Sequence, residues 1–210
     1  MIRRGCAQSS KKKVNARIVL LTLLVASTQF SCNIFETREP EQPSQSSSSY
    51  VPPTDPSIVF TNMVNAFRDL NSLNYVKSFA DSSASGRSFS FEPTPQAKLK
   101  YGGVFLTWTR QSEQQYFENL RSKMPAGSSA TLTFDVLNAQ SLQSDSAQYE
   151  ATYRLNVQHS LANLPTQASG RAQFFLIADR SRNWVIWRWV DLAASASDFT
   201  WSDLKGEFGQ

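Results

Sequence analysis

Cysteine and histidine are scarce in this chain of 210 residues, which contains two cysteines and one histidine. Cys6 lies among basic residues near the N-terminus, and no cysteine follows Cys32. The rest of the chain therefore cannot form a disulfide, a cysteine-ligated metal cluster or a cysteine nucleophile. The single histidine, His159, excludes a histidine-based catalytic triad and a multi-histidine metal site. We predict no metal and no cofactor, and we expect His159, at a predicted strand end, to face solvent.

A net positive charge is also missing from most of the chain, although the formal net charge of the whole is +4. Residues 1–31 hold six of the 21 Lys and Arg residues and none of the 17 Asp and Glu residues. The remainder thus carries 15 basic and 17 acidic residues. This composition has no basic footprint for a phosphate backbone, so nucleic acid is not a predicted partner.

The chain contains no long hydrophobic run. The uncharged segment from Ile18 to Phe30 has 13 residues, whereas a membrane-spanning helix needs roughly 20. Basic residues precede this segment, and a small residue, Ser31, follows it. These are the three parts of a secretory signal peptide, which we predict over residues 1–31.

The end of this segment, Gln29-Phe30-Ser31-Cys32, resembles the lipobox of bacterial lipoprotein precursors. The resemblance implies cleavage before Cys32, a diacylglycerol on its sulfur and often an N-acyl chain such as palmitate. Two or three acyl chains anchor a protein stably in a membrane. Asn33, in place of Asp, implies outer-membrane sorting within the cell envelope, with the domain periplasmic or surface-exposed. Ordinary secretion, with cleavage nearby and a free Cys32, is the alternative.

The segment after Cys32 is rich in Ser, Pro, Glu and Gln and has few apolar residues to bury. Such a composition is typical of disorder, so residues 32–55 are predicted to form a lipidated tether. A folded domain is predicted over residues 56–208.

Within this domain, helical periodicity comes first and strand periodicity follows. Asp55-Pro56 predicts a helix start, and Ser112 has the form of a second helix cap. Beyond residue 130 the apolar residues alternate with polar ones, as in long antiparallel strands. Helices followed by strands indicate the α+β class. The predicted elements are helices from 56 and over 73–80, a short strand at 89–91, a helix after 112, strands at 131–136, 149–157, 172–178 and 184–191, and a terminal turn or helix within 198–208.

Four segments resemble nuclear transport factor 2-like proteins, which include the SnoaL and ketosteroid isomerase families. They are residues 65–83, 89–93, 183–192 and 200–208. The resemblance implies a cone-shaped barrel, cystatin-like in outline, in which N-terminal helices pack on a curved antiparallel sheet. It also implies that a sheet-to-sheet homodimer can form. It implies no single activity, because this frame carries both enzymes and binding modules.

Glu92 matches the place of the ketosteroid isomerase base, directly before the proline that ends the first strand. The other two places of that site fall near Met63 and near Ala172 or Gln173, which do not supply the required acidic donors. Only one of the three positions of that site is matched, so no catalytic residue is predicted. Glu92 remains a candidate base, with Tyr75 or Tyr153 as its partner.

The aromatic residues of the sheet and helices allow two interpretations. They line a pocket for an apolar or sugar ligand, or they fill the core. On strand alternation, Arg188 is expected to face away from both Trp187 and Trp189. The pocket candidates are Tyr75, Phe79, Phe91, Glu92, Trp108, Tyr153, Trp187 and Trp189.

The sequence thus predicts a membrane-anchored envelope protein whose domain binds a small apolar ligand or a protein partner without catalysis. Two alternatives remain. One is a dehydratase or isomerase that uses Glu92 in the cone pocket, and the other is a structural homodimerisation module.

Overall fold

A computed structural model describes residues 49–210, which lie within one compact unit, Ser47–Gln210. Five strands and seven helices occur in the described part. The helices are α1 Pro56–Arg68, α2 Ser72–Val76, α3 Ser82–Ser85, α4 Pro95–Lys100, α5 Gly102–Phe105, α6 Arg110–Ser122 and α7 Trp201–Phe208. The strands are β1 Ser90–Glu92, β2 Ala130–Leu142, β3 Ser146–Val157, β4 Gln167–Ala178 and β5 Trp184–Leu192.

The strands form one sheet in the order β1-β5-β4-β3-β2. Strands β2 to β5 are an antiparallel meander, and β1 adds to β5 in parallel, with Phe91 opposite Trp189. The helices cover one face of this curved sheet, so the predicted α+β class is confirmed. No helix among residues 49–210 is long and apolar enough to span a membrane.

Helix α1 begins where the sequence predicts. The Asp55 side chain accepts a hydrogen bond from the Ser57 amide at 2.8 Å, and Pro56 occupies the first turn. This cap pairs one of the helix's orphan amides. The face that α1 turns to the sheet is apolar and buried, and it includes Val59, Phe60, Met63 and Phe67.

Residues 49–55, which we assigned to the tether, contact the domain. The side chain of Asn62 accepts a hydrogen bond from the Val51 amide at 2.9 Å and donates one to the Val51 carbonyl at 2.7 Å. The Pro53 carbonyl accepts from the Trp184 amide at 2.8 Å. The contacts of the folded domain therefore begin before residue 56.

The N-cap of helix α6 lies three residues before the predicted cap, Ser112. Thr109 is the N-cap, and its side chain accepts from the Ser112 amide while Ser112 bonds back to the Thr109 amide. Ser112 is thus the third helical residue, which places Glu113 at the end of the first turn. Glu113 shares its buried face with Tyr116, Phe117 and Leu120 at the spacing i, i+3, i+4 and i+7.

A bulge in the β4–β5 ladder corrects the predicted facing of Arg188. Phe174 pairs with Trp189 and Leu176 with Ile186, so Trp187 and Arg188 together oppose Phe175. Trp187 and Arg188 both contact the Phe175 ring on the outer face. Trp189 alone points to the helices, because two residues opposite one shift the alternation by one position.

The prediction that His159 faces solvent is wrong. His159 is buried, its Nε2 lies 3.1 Å from the Pro165 carbonyl, and its ring centroid lies 5.6 Å from that of Phe208. Helix α7 covers it. The side chains of Trp201 and Leu204, both on α7, are fully buried.

Candidate functional site

The interior of the cone contains an ion pair between helices α6 and α7. Nζ of Lys205 donates to Oε1 of Glu113, and both side chains are completely buried. The second donor to Oε1 is Nε1 of Trp108, at 2.7 Å. Oε2 accepts from the Tyr75 hydroxyl at 2.8 Å. Both oxygens of this buried carboxylate are therefore bonded, as burial requires.

Aromatic rings surround the ammonium group of Lys205. Nζ lies 3.6 Å from the centroid of the Trp189 ring and 3.7 Å from that of Phe91, with Trp108 farther away at 5.6 Å. The negative faces of the rings attract the cation and partly replace its lost hydration. The site thus binds an ammonium group that α7 itself supplies.

Burial changes the pKa values of this cluster. Loss of hydration lowers the pKa of Lys205 to about 8, although the charge of Glu113 opposes the shift. Burial, followed by the nearby charge of Glu113, raises the pKa of Tyr75 well above its usual value. The Tyr75 hydroxyl therefore stays protonated and serves as a donor.

A second polar cluster joins the start of α7 to the sheet. Asp191 accepts from the Tyr153 hydroxyl at 2.7 Å and from the amide and hydroxyl of Ser202 at 2.8 and 2.6 Å. The Tyr153 hydroxyl in turn accepts from the Trp201 amide at 2.9 Å. Burial raises the pKa of Asp191, and the hydrogen bonds from Ser202 and Tyr153 act in the opposite direction.

Gly170 permits this arrangement of Tyr153. A Cβ at Gly170 would lie 2.7 Å from the Tyr153 hydroxyl oxygen and 2.8 Å from the Leu192 carbonyl oxygen. A larger residue would thus displace the tyrosine from Asp191.

The two clusters and α7 fill the concave side of the sheet. Of the predicted pocket residues, six are buried in one continuous core, where they pack against each other and α7. The Trp201 ring lies 4.5 Å from Trp189 and 5.3 Å from Tyr153 between centroids. The six residues are Tyr75, Phe79, Phe91, Trp108, Tyr153 and Trp189.

The other two pocket candidates, Glu92 and Trp187, lie on the outer face of the sheet. The Glu92 side chain is about half exposed at 52%, and its Oε1 accepts from Nε and Nη2 of Arg188 at 3.0 and 2.7 Å. Tyr75 and Tyr153, its proposed partners, bond to Glu113 and Asp191 instead. Gln173 also faces outward and donates to Glu150 at 3.1 Å.

Sequence reasoning missed the three ionisable groups that the fold brings inside, Glu113, Lys205 and Asp191. Glu113 and Lys205 each occupy an apolar face at the i, i+3, i+4 and i+7 spacing, beside Tyr116 and Leu204 respectively. That spacing is the signal that could have identified them. Lysine and glutamate are rarely fully buried, so a charged residue at such a position is easily assigned to the solvent-exposed border of the helix face.

The Lys205–Glu113 pair is not accessible to solutes, which limits the chemistry that it can perform. Neither Glu113 nor Lys205 exposes any surface, so no solute reaches either group in this conformation. The described residues contain no group of three or more His, Cys, Asp and Glu side chains placed to hold a metal ion.

Cavities of the described part open at its surface. One of about 680 Å³ lies beside helices α4 and α5 and is bordered by Pro95, Lys98, Leu99, Gly102, Phe105 and Leu106. A second, of about 330 Å³, lies on the outer face of the sheet next to Trp187 and Arg87. The first is mainly apolar, whereas the second is bordered by both polar and apolar residues.

Solved structures to which this chain is similar share little of its sequence. A candidate scytalone dehydratase from Novosphingobium aromaticivorans is 7% identical, with a TM-score of 0.50 over 69% of this chain and 88% of its own. A nuclear transport factor 2-like superfamily protein from Salmonella enterica is 11% identical, with a TM-score of 0.48 over 66% of this chain and 89% of its own. A domain of unknown function with a cystatin-like fold from Nostoc punctiforme is 10% identical, with a TM-score of 0.43 over 66% and 75%.

The described domain of this chain has an α+β fold similar to that of the candidate scytalone dehydratase. No protein-family model matches it, and no curated protein sequence matches it either. The likeness at this level of identity concerns the fold alone. The predicted signal peptide, Cys32 and most of the tether lie outside the described residues.

Proposed function

We propose that this protein is a lipid-anchored envelope protein whose folded domain binds apolar partners at its exterior without catalysis. The observation that carries this proposal is the Lys205–Glu113 pair, with which α7 occupies the inside of the cone. A ligand would have to displace a buried charge pair and Trp201 to enter. The mainly apolar cavity beside α4 and α5 needs no such change.

The anchor is supported by the sequence, in which Cys32 follows a basic and then an apolar segment and precedes a polar tether. Intact-mass measurement of membrane-extracted protein tests it. The expected wild-type mass lacks residues 1–31 and includes two or three acyl chains. The matched Cys32→Ala protein should carry no acyl chain, and an unmodified wild-type mass would refute lipidation.

The exterior site is tested with an apolar fluorescent dye. Leu99→Ser with Leu106→Ser should reduce dye binding, because both side chains border the cavity beside α4 and α5. The matched control is Leu142→Ser, which removes another exposed leucine, on β2. Dye binding that is equal in all three proteins would contradict an exterior site at this place.

The dehydratase or isomerase alternative lacks a supporting contact in this conformation, since Glu92 pairs with Arg188 on the outer face. A sheet-to-sheet homodimer stays a prediction. Light scattering of the purified protein would test it.

A further inference from the structure

Two leucines stand out on the surface of the domain. Leu99 is 89% exposed and Leu106 is 83% exposed, the highest values among the large apolar residues of the described part. Single exposed leucines are ordinary on protein surfaces. Leu99 lies in α4 and Leu106 directly follows α5, and both border the same apolar cavity of about 680 Å³.

The backbone that carries these leucines is held firmly from below. Phe105 packs its ring 5.8 Å from Phe91 and 5.3 Å from Trp108, measured between centroids. Tyr101 donates to Oε1 of Glu207 at 2.5 Å. Because neighbouring residues are fixed in the core, Leu99 and Leu106 project outward as part of the folded structure.

The charged residues of the segment that carries the leucines are all basic. Residues 93–112 contain Lys98, Lys100 and Arg110 and no Asp or Glu. Lys98 forms no ion pair with another described residue, and Lys100 pairs with Glu207 at 3.3 Å while remaining more than half exposed. Exposed leucines flanked by lysines are the composition that binds an anionic membrane interface, where the apolar groups insert and the cations meet headgroups.

We propose that the face formed by α4 and α5, residues 95–106, docks on the anionic surface of a lipid bilayer. Leu99 and Leu106 insert, and Lys98 and Lys100 contact the phosphates of the headgroups. This inference rests on the proposed function, in which the lipid anchor at Cys32 holds the domain near a membrane. A flexible chain of 16 residues, the number between Cys32 and Ser49, spans roughly 20–24 Å, so the predicted tether would keep the domain within reach of the membrane that holds the anchor.

The tether also favours a bilayer over a protein as the occupant. A short tether converts docking into an intramolecular event at high effective concentration, so a weak interface suffices. A protein partner would not share that advantage unless it were anchored as well. The lysines add affinity for phosphates, whereas an apolar ligand alone would have no use for them.

The test uses the full chain with Cys6→Ser, so that Cys32 alone can react with a thiol label when it is not lipidated. An environment-sensitive fluorophore is attached to Leu106→Cys in this parent or, as the matched control, to Leu142→Cys, which is 61% exposed in the native protein. Vesicles of phosphatidylethanolamine and phosphatidylglycerol, with and without nitroxide-labelled lipid, are then added.

We expect the label at position 106 to shift to the blue and to lose at least half of its emission to the nitroxide lipid, and the label at 142 to change little. Lys98→Gln and Lys100→Gln should each weaken vesicle binding about fivefold, as expected for a lysine near an anionic surface. This loss should vanish on phosphatidylcholine vesicles.

The outcomes separate this inference from the anchor. Equal signals at 106 and 142 in a protein whose mass includes acyl chains overturn the docking face and leave the anchor standing. If the parent has an unmodified mass and reacts with the label at Cys32, both variants carry that second label. Stronger quenching in the Leu106→Cys variant than in the Leu142→Cys variant then supports the docking face, while the unmodified mass overturns the anchor.

Discussion

Lys205 of the last helix and Glu113 of α6 form an ion pair in which neither side chain is exposed to solvent. Moving both charges out of water costs several kcal/mol per ion, and their attraction offsets this only when the remaining polar atoms are bonded. Tyr75 and Trp108 complete the bonding of Glu113, while the rings of Phe91 and Trp189 face the ammonium. The pair therefore fixes α7 against α6 across 92 positions of sequence.

Removing one partner of this pair should destabilise the fold strongly. Lys205→Met leaves a buried carboxylate without its cation, and we expect a loss of about 3–5 kcal/mol in the free energy of unfolding. The double variant Lys205→Met with Glu113→Gln removes both charges and should lose less than the sum of the single changes. Urea unfolding followed by tryptophan fluorescence measures each value. Additive losses would show that the two charges are not coupled.

Stability should rise with pH above 8. The folded-state pKa of Lys205 is about 8 and the ordinary value is 10.5, so between these values the unfolded state binds more protons. The free energy of unfolding should therefore increase by about 1.4 kcal/mol per pH unit at most. Above roughly pH 10 the trend reverses, because Tyr75, Tyr116 and Tyr153 are held protonated in the fold and ionise when it opens.

The matched control for this pH dependence is Lys205→Met, which keeps the three tyrosines but lacks the amine. The urea midpoints of the two proteins should move apart between pH 8 and pH 10, because only the wild type gains stability from the Lys205 amine there. If the two midpoints change in parallel with pH, the titrating group is not Lys205.

Gly206→Ala should destabilise the protein by about 1–3 kcal/mol or more, because overpacking strains the core. A Cβ at Gly206 would lie 2.3 Å from Cδ2 of Tyr101. Gly103→Ala is the matched control, since nothing lies within 4 Å of a Cβ there. Thermal unfolding of both variants compares them, and equal losses would contradict the close packing of α7 on Tyr101.

Tyr153→Phe should cost about 1–3 kcal/mol, because the change removes the hydrogen-bond partner of Oδ1 of Asp191 and that of the Trp201 amide. Tyr149→Phe, at another buried position of β3, is the control and should cost less, since its hydroxyl makes no hydrogen bond to the described residues. Urea unfolding at pH 7 measures the difference. A similar loss in both would argue against the Asp191 cluster.

Glu92→Gln should change the free energy of unfolding by no more than about 1 kcal/mol, because its ion pair with Arg188 is half exposed and screened by water. Glu113→Gln is the matched change in a buried carboxylate and should cost several times more. The two urea midpoints decide this. A large effect at Glu92 would indicate a role that its contacts do not explain.

Much of the element order follows from local patterns. The capped start of α1 and the alternation along β3 were predicted at the observed positions, because periodicity reflects which side of one element is buried. The start of α6 was predicted late, since Thr109 and Ser112 both suit a cap and only the packing of Glu113 selects between them. The outward turn of Trp187 was missed because a bulge depends on the neighbouring strand.

The sequence by itself determined the α+β class and the apolar faces of the helices and strands, since each depends on residues close together in the chain. Only the tertiary structure decided what occupies the concave side of the sheet. That outcome depends on Lys205 and Trp201 meeting Glu113, Tyr153 and Trp189 from distant positions. A buried lysine is stable only where an anion and aromatic rings converge on it, and no local pattern encodes that convergence.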